Sequence, residues 1–151
     1  MTAVSAPQGL RIVSYLTSRL GQTIGAGECW DAAENAIKDI GAARPGSALY
    51  VWGSVVQHAD LQPGDILQFS QFTVTVTQDD GSWAQQTFGA PRHTAIVESI
   101  NSDGSVNILH QNYSGARNVT QLANIFLSSG SAGSATVTTS GSVTRYRPQV
   151  P

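Results

Sequence analysis

The chain has 151 residues, which is enough for one hydrophobic core and too few for two ordinary domains. Its formal net charge is −2 with only eight Lys and Arg residues, so it lacks the basic surface that binds nucleic acid or an anionic membrane. We therefore expect one domain over residues 1–151, a monomer that has neither nucleic acid nor a membrane as its partner.

The N-terminus shows no secretory signal, because MTAVSAPQGL lacks a basic start and an apolar stretch. No apolar run approaches the roughly 18 residues of a transmembrane helix. We expect a protein that is cytoplasmic as made, with delivery as an effector, release as a lysin, or excision from a longer protein as alternatives. The single cysteine excludes an internal disulfide.

Two amphipathic helices are predicted in the first part of the chain. One runs from Gly9 to Gly21, where apolar residues recur at helical spacing and a glycine ends the pattern. The other runs from Glu28 to Ile40 with the same rhythm. Cys29 lies in the first turn of this second helix.

Beyond Pro45 the apolar spacing changes to two and turn signals recur, which predicts antiparallel strands. The expected strands are 65–77, 83–88, 92–100, 105–112 and 142–147. The Ser/Gly/Thr-rich stretch at about 128–142 is expected to be a mobile loop, with ATVTT as an alternative short edge strand. The expected fold is α+β, with N-terminal helices packed on an antiparallel sheet of about five strands.

The position of Cys29 is compatible with two interpretations. The unpaired N–H groups and partial positive charge of a first helical turn favour a thiolate nucleophile, and Gly25 and Gly27 would leave room for a substrate beside the sulfur. Alternatively, Cys29 is a small buried residue on the inner face of an alanine-rich helix. A catalytic thiol also requires a basic partner.

Two of the three histidines are candidates for that partner. His58 precedes a turn and is expected to be a solvated loop residue. His93 and His110 lie on consecutive strands joined by a short turn, so the strands should form a hairpin. Side-chain alternation places His93, His110 and Asn112 on one face of that hairpin.

The register of the hairpin decides whether these side chains meet. If Asp103-Gly104 is a two-residue turn, Asn112 is diagonal to His93, whereas His110 lies opposite Val97, about 13 Å along the strand from His93. A bulge or another turn would be needed to bring the two histidines together. A solvent-facing position at the strand end is the alternative for His110.

At this point GAGECWDAAENAI, LQPGDILQF and RHTAIVESINSDGSVNILHQN can be considered together. They resemble the papain-like cysteine hydrolases of bacterial cell walls, in particular the CHAP amidase/peptidase domains and, more distantly, the NlpC-type peptidases. In CHAP domains a cysteine opens a helix, a Pro-Gly-Asp turn starts the sheet and a histidine opens a strand. Cys29, Pro63-Gly64-Asp65 and His93 follow that order, and the resemblance covers about residues 21–112.

The resemblance implies a role for each candidate residue. Cys29 would be the nucleophile, His93 the general base, and His110, supported by Asn112, the residue that orients His93. CHAP domains commonly have Glu where this chain has His110, whereas NlpC-type enzymes often use a second histidine, so His110 and Asn112 both stay open as the orienting residue. Gln22 is similar to the upstream glutamine that donates to the oxyanion in papain-like enzymes.

The implied function is a cysteine peptidase or amidase that cleaves an amide bond in a peptide or peptidoglycan substrate, without metal or cofactor. The spacing does not choose between amidase and endopeptidase activity. GECWDAAENA and YVWG also resemble a cysteine-proteinase-like domain at the C-terminus of some fungal cortical-actin adaptor proteins, which makes a non-catalytic interaction module the main alternative. An acyl transferase or deamidase using the same dyad is a further alternative.

Overall fold

A computed structural model of the protein describes residues 1–46 and 48–151. Within these residues, two α-helices, one short 3₁₀ helix and nine strands follow one another. In order these elements are β1 (Thr2–Ala3), α1 (Ala6–Thr17), α2 (Cys29–Lys38), β2 (Ser54–Val55), the 3₁₀ helix (His58–Asp60), β3 (Ile66–Thr77), β4 (Trp83–Ile100), β5 (Val106–His110), β6 (Thr120–Ile125), β7 (Gly130–Ala132), β8 (Ala135–Arg147) and β9 (Gln149–Val150).

In the described part of the chain the main sheet is antiparallel and has seven strands rather than the expected number of about five. Its order is β2-β8-β3-β4-β5-β6, and β7 pairs with β8. The short strands β1 and β9 form a separate two-stranded sheet. The α+β class and the helix-on-sheet architecture are as expected. Neither helix has the length and apolar composition needed to cross a membrane in the part of the chain described.

The expected mobile loop at 128–142 is wrong, because most of this stretch belongs to β7 and β8. Ala135 and Val137 face the core, whereas Thr136 and Thr138 are exposed. This alternation lets a polar sequence form a strand in the sheet. The strand β6 was also missed, and the expected strands 83–88 and 92–100 are one strand that is interrupted in its pairing after Phe88.

Both helices end before the expected boundary, and α1 also begins earlier. Ser5 caps α1: its hydroxyl accepts from the backbone N–H of Gln8 (3.3 Å), and the Gln8 side chain accepts from the backbone N–H of Ser5 (2.8 Å). This reciprocal capping box fixes the helix start several residues before Gly9. The second helix starts at Cys29, so the thiol-bearing residue is in its first turn.

Two hydrophobic clusters lie on opposite faces of the sheet. The first packs both helices against residues such as Ile66, Ile96 and Leu109. The second contains the phenylalanines of β3 and β4 together with Val97 and Ile108. Because side chains alternate along a strand, His93 and His110 share a face with the second cluster rather than with the helices.

The Pro-Gly-Asp turn before β3 is held by a buried ion pair. The Asp65 carboxylate is fully buried and accepts two hydrogen bonds from the guanidinium of Arg147, at 2.9 and 3.0 Å. It also accepts from the backbone N–H of Gln62 (2.9 Å). Burial raises the pKa of Asp65, and the hydrogen bonds and charge of Arg147 oppose that shift. This motif residue therefore joins the turn before β3 to the end of β8.

Candidate active site

The segment before Cys29, residues 24–28, is called here the thiol loop, and a buried amide anchors it. Gln111, directly after β5, is fully buried. Its side-chain oxygen accepts from Ile24 N (2.8 Å), and its nitrogen donates to Ile24 O (3.0 Å) and Glu28 O (2.9 Å). The backbone that carries Cys29 is therefore bound to the chain immediately after His110.

A carboxylate on α2, that of Asp31, also binds the backbone of the thiol loop. One oxygen of Asp31 accepts from Ala26 N (3.0 Å) and from Glu28 N (3.1 Å). Gly25 has φ 59°, and a Cβ there would lie 2.8 Å from the Asp31 carboxyl group. The glycine therefore accommodates Asp31 and a left-handed backbone, which differs from the expected function of leaving room for substrate.

Asn112 contacts the thiol loop rather than an imidazole. Its side-chain nitrogen donates to one carboxylate oxygen of Glu28 (3.2 Å), and Arg117 donates to the other (2.8 Å). Asn112 has φ 58°, so it leaves the regular alternation of β5. Its expected supporting role at His93 stays a prediction, while its observed hydrogen bond fixes the residue next to Cys29.

The two histidine side chains meet directly. His93 Nε2 lies 2.9 Å from His110 Nδ1, and the ring centroids are 5.0 Å apart with the planes near perpendicular. A hydrogen bond of this length fixes the orientation of both rings. The structure thus brings together His93 and His110, which we call the histidine pair.

The register that produces this contact differs from the expected two-residue turn. Asn101 N donates to Ser105 O (2.8 Å), and Gly104 N donates to Asn101 O (3.0 Å), so the loop has three residues and ends in a left-handed glycine. A bulge between Val97 and Ser99 then shifts the pairing. His110 consequently lies opposite Ala95, two residues from His93 instead of four.

Aromatic side chains surround the histidine pair. The His93 ring lies against Phe69 and Phe88, with centroid distances of 6.3 and 6.0 Å, and the His110 ring stacks on Tyr113 at 4.8 Å. His93 is 4% exposed and His110 is 2% exposed. Both rings are therefore held in an apolar environment that disfavours the charged form.

Burial determines the protonation of the pair. It lowers the pKa of His93 to about 4. Burial, with a smaller contribution from the neighbouring His93, lowers the pKa of His110 to about 3. Both imidazoles are consequently neutral at pH 7, and each can have one N–H donor and one lone pair.

A polar cavity of about 340 Å³ opens beside His93. Its lining residues are Thr87, Gly89, Ala90, Arg92, His93, Asn112, Tyr113 and Ser114. Among the described residues no hydrogen bond uses His93 Nδ1, and no fully buried side-chain N or O atom lacks a partner. His93 Nδ1 therefore retains access to solvent.

Cys29 is half-buried at the start of α2. Over residues 1–46 and 48–151, its thiol forms no hydrogen bond with either imidazole. Its neighbour Glu28 is bound by the two residues that follow His110: the Gln111 side chain donates to the Glu28 backbone oxygen, and the Asn112 side chain donates to the Glu28 carboxylate. The thiol and the pair are thus carried by segments that are hydrogen-bonded to each other.

The other candidate residues lie elsewhere. Gln22 has an exposed side chain, and its backbone oxygen accepts from Val119 N (2.9 Å), so its oxyanion role stays a prediction. His58 is in the 3₁₀ helix, where Nε2 contacts Gly104 O (2.9 Å) and Nδ1 accepts from Arg145 Nε (3.1 Å). Within the described part of the chain, no cluster of metal-ligating side chains was found.

Helices packed on an antiparallel sheet, with a cysteine opening a helix and a histidine on a strand, define a cysteine-proteinase fold. The family model described as "AIM3/BBC1 Cysteine proteinase-fold domain" matches residues 1–137, and the chain belongs to this family. The resemblance to the cysteine-proteinase-like domain of fungal actin adaptors is thereby confirmed. No curated protein and no solved structure matches the chain.

Proposed function

We propose that the domain is a cysteine hydrolase that cleaves an amide bond, with Cys29 as nucleophile, His93 as general base and His110 as the residue that orients His93. The 2.9 Å contact between His93 Nε2 and His110 Nδ1 is the observation that carries this proposal. It occupies one nitrogen of His93 and leaves the other as the candidate base. The anchoring of Glu28 beside His110 supports the participation of Cys29.

The proposed reaction uses the tautomer in which His93 Nε2–H donates to His110 Nδ1. The lone pair on His93 Nδ1 takes the thiol proton as sulfur attacks the amide carbonyl. His93 then returns the proton to the departing amine, leaving a thioester on Cys29. Water, activated by His93, cleaves the thioester and releases the acid. The backbone N–H of Cys29 would donate to the oxyanion, with Gln22 as a second candidate donor.

Burial of the histidine pair favours a neutral imidazole at His93 in the resting state. Burial disfavours the imidazolium form of His93. Proton transfer is therefore expected together with sulfur attack, when negative charge develops on the substrate oxygen.

Peptidoglycan stem peptides are the first substrates to test, because the motif order resembles that of cell-wall amidases and endopeptidases. Purified protein would be incubated with muropeptides and the products weighed by mass spectrometry. We expect cleavage by the native protein and none by Cys29→Ala or Cys29→Ser, with thermal stability kept within about 1–2 kcal/mol. Cleavage by either variant at the native rate would reject Cys29 as nucleophile.

A non-catalytic interaction module is the second candidate function. It is favoured by the absence, among the described residues, of a hydrogen bond between the Cys29 thiol and the histidine pair. Iodoacetamide labelling followed by mass spectrometry separates the two functions. Rapid labelling of the folded protein that slows in a His93→Gln variant supports the hydrolase. Labelling only after denaturation supports the module, with an inert thiol.

A further inference from the structure

The Tyr113 ring contacts both members of the histidine pair. Its centroid lies 4.8 Å from that of His110, with the ring planes 25° apart, and 5.7 Å from that of His93. It also stacks on Phe88, at 5.1 Å. Tyr113 is in addition a lining residue of the cavity beside His93. The ring therefore borders both the cavity and the two imidazoles.

A tight turn fixes the backbone of Tyr113. Tyr113 N donates to Ala116 O (3.2 Å), and Ala116 N donates to Tyr113 O (3.0 Å). The two residues between them, Ser114 and Gly115, have φ values of 53° and 82°, and a type I′ turn requires positive φ at both positions. Glycine adopts this backbone freely, whereas serine does so at a cost in free energy. The turn that begins at Tyr113 thus contains a strained residue, and such strain persists only where the surrounding structure determines the conformation.

The same turn is attached to the thiol loop on both sides. Before it, the Asn112 side chain donates to the Glu28 carboxylate (3.2 Å). After it, Arg117 donates to the same carboxylate (2.8 Å) and to Ala26 O (3.0 Å). The position of Tyr113 is therefore fixed relative to the segment that precedes the candidate nucleophile.

We propose that Tyr113 is a positioning residue of the candidate site: its ring fixes the orientation of His110, and through His110 that of His93. Within the described part of the chain the Tyr113 hydroxyl forms no hydrogen bond, so the flat ring rather than the oxygen makes this contact. A ring stacked on an imidazole opposes its rotation, and rotation of His110 would break the 2.9 Å contact with His93. The effect on turnover rests on the proposed function, whereas the orientation of the pair does not require catalysis.

Long-range proton–nitrogen NMR spectra of the imidazoles at pH 7 test the orientation directly, because protonated and unprotonated ring nitrogens resonate at different frequencies. In the native protein we expect a single tautomer for each ring of the pair, with the proton on Nε2 of both His93 and His110. Tyr113→Ala should move these signals towards the values of mixed tautomers. His58 is the internal reference, since its ring lies outside the cavity, and its signals should stay unchanged.

Further variants separate the stacked ring from burial and from the hydroxyl. Tyr113→Phe keeps the ring and should give the native spectrum. Tyr113→Leu keeps apolar volume without a flat ring, so it should disturb the signals of the histidine pair as Tyr113→Ala does, even where the alanine variant is too unstable to measure. Tyr15→Ala is the matched control: Tyr15 is also half-buried, but its ring lies under Arg19, so the histidine pair should be unaffected.

Turnover is the second readout. Misplacing a catalytic group by about 1 Å can cost about a hundredfold. Tyr113→Leu should therefore lower kcat by about ten- to a hundredfold with a smaller change in KM, and Tyr113→Phe by less than about twofold. A native spectrum or native kcat in Tyr113→Leu, or equal disturbance of the spectrum by Tyr113→Phe or Tyr15→Ala, would overturn the proposal. Absence of hydrolysis in the native protein together with the expected spectra would reject the hydrolase and leave the orienting role of Tyr113 standing.

Discussion

The thiol loop and the histidine pair are held in place by different forces. The loop depends on directional hydrogen bonds, in which buried Gln111 and Asp31 satisfy its backbone groups. The pair depends on aromatic packing around a single polar contact. Loss of the Gln111 amide should therefore displace the thiol of Cys29. The protonation state of the histidine pair, in contrast, is determined by the burial of the two rings.

In the candidate site, the position of the thiol loop and the protonation of the histidine pair therefore have different physical causes. Hydrogen bonds to a loop backbone define where its residues lie, and a buried group that loses its partner costs about 1–3 kcal/mol. Aromatic burial defines which ionisation state is stable. Substitutions that affect the thiol loop should consequently change the free energy of unfolding and the position of the thiol. Substitutions in the histidine pair should change turnover and the pH dependence of stability.

The largest expected effect is on turnover and comes from His110. Replacing it with alanine leaves Cys29 and His93 in place and removes the ring nitrogen that contacts His93 Nε2 and, in the proposed mechanism, orients the base. We expect turnover to fall by about ten- to a thousandfold with a smaller change in KM. Steady-state kinetics on the muropeptide substrate measure both values.

Two variants sharpen this test of His110. His110→Gln keeps an acceptor that can reach His93, so it should retain more turnover than His110→Ala. His58→Ala is the control histidine, because its ring contacts Gly104 and Arg145 outside the site, and it should remain near native turnover. Equal losses in His110→Ala and His58→Ala would exclude an orienting role.

The second prediction concerns stability in acid. The folded-state pKa values of about 4 for His93 and about 3 for His110 lie below the unfolded value of about 6.5. Below pH 6.5 the unfolded chain therefore binds more protons than the native state, so stability falls as the pH drops. From pH 7 to about pH 4 the loss should be on the order of a few kcal/mol.

Urea unfolding at several pH values measures how steeply the free energy of unfolding falls with pH. The double variant His93→Phe with His110→Phe removes both titrating groups and keeps aromatic rings in the cluster, so its stability should change less over the same range. The buried Asp65, whose raised pKa acts in the opposite direction, is present in both proteins and cancels in the comparison. Identical slopes would mean that the pair is not buried in the neutral form.

The third prediction concerns the anchor of the thiol loop. Gln111→Leu removes three hydrogen bonds to the backbone of Ile24 and Glu28 and leaves the buried Ile24 N–H without its acceptor, although Ile24 O still accepts from Gly27 N, so we expect a destabilisation of about 2–4 kcal/mol. Gln121→Leu is the matched control, because Gln121 is exposed and bonds only to the side chain of Glu98; it should cost less than about 0.5 kcal/mol. Urea unfolding at pH 7 distinguishes the two, and similar losses would contradict an anchoring role for Gln111.

The sequence predicted the local features of the fold better than its long-range partners. Helical spacing placed Cys29 in the first turn of α2, and strand alternation put His93 and His110 on one face. These features depend on neighbours within one element or one hairpin. By contrast, the sequence predicts a strand only for residues 142–147 of β8 and a loop for the part before them, because a polar strand becomes recognisable only through its buried Ala135 and Val137.

In the candidate site, too, local features were predictable and long-range contacts were not. The sequence indicates that a bulge or another turn is needed to bring the histidines together, but it does not predict the three-residue loop or place the bulge between Val97 and Ser99, because both depend on backbone pairing that alternation does not reveal. Gln111 was missed as an anchor, since its partners at Ile24 and Glu28 lie 87 and 83 residues away in the sequence. One signal was present: a glutamine follows Leu109 at the next helix-facing position, where a buried polar residue needs partners.

The smallest expected effect belongs to Asn112, and it tests whether this residue acts on the thiol side or on the histidine side. Its side chain donates to half-exposed Glu28 (3.2 Å), and Arg117 also pairs with that carboxylate, so Asn112→Ala should lower turnover only mildly, by less than about tenfold. Asn112 also has a left-handed backbone, which alanine strains and glycine does not. Asn112→Gly is therefore the matched variant that lacks the same amide without the strain. Similar turnover in the two variants would assign the loss to the amide, and better turnover in Asn112→Gly would assign it to the backbone. If Asn112→Ala proves more damaging than His110→Ala by tenfold or more, Asn112 rather than His110 is the residue on which the orientation of His93 depends.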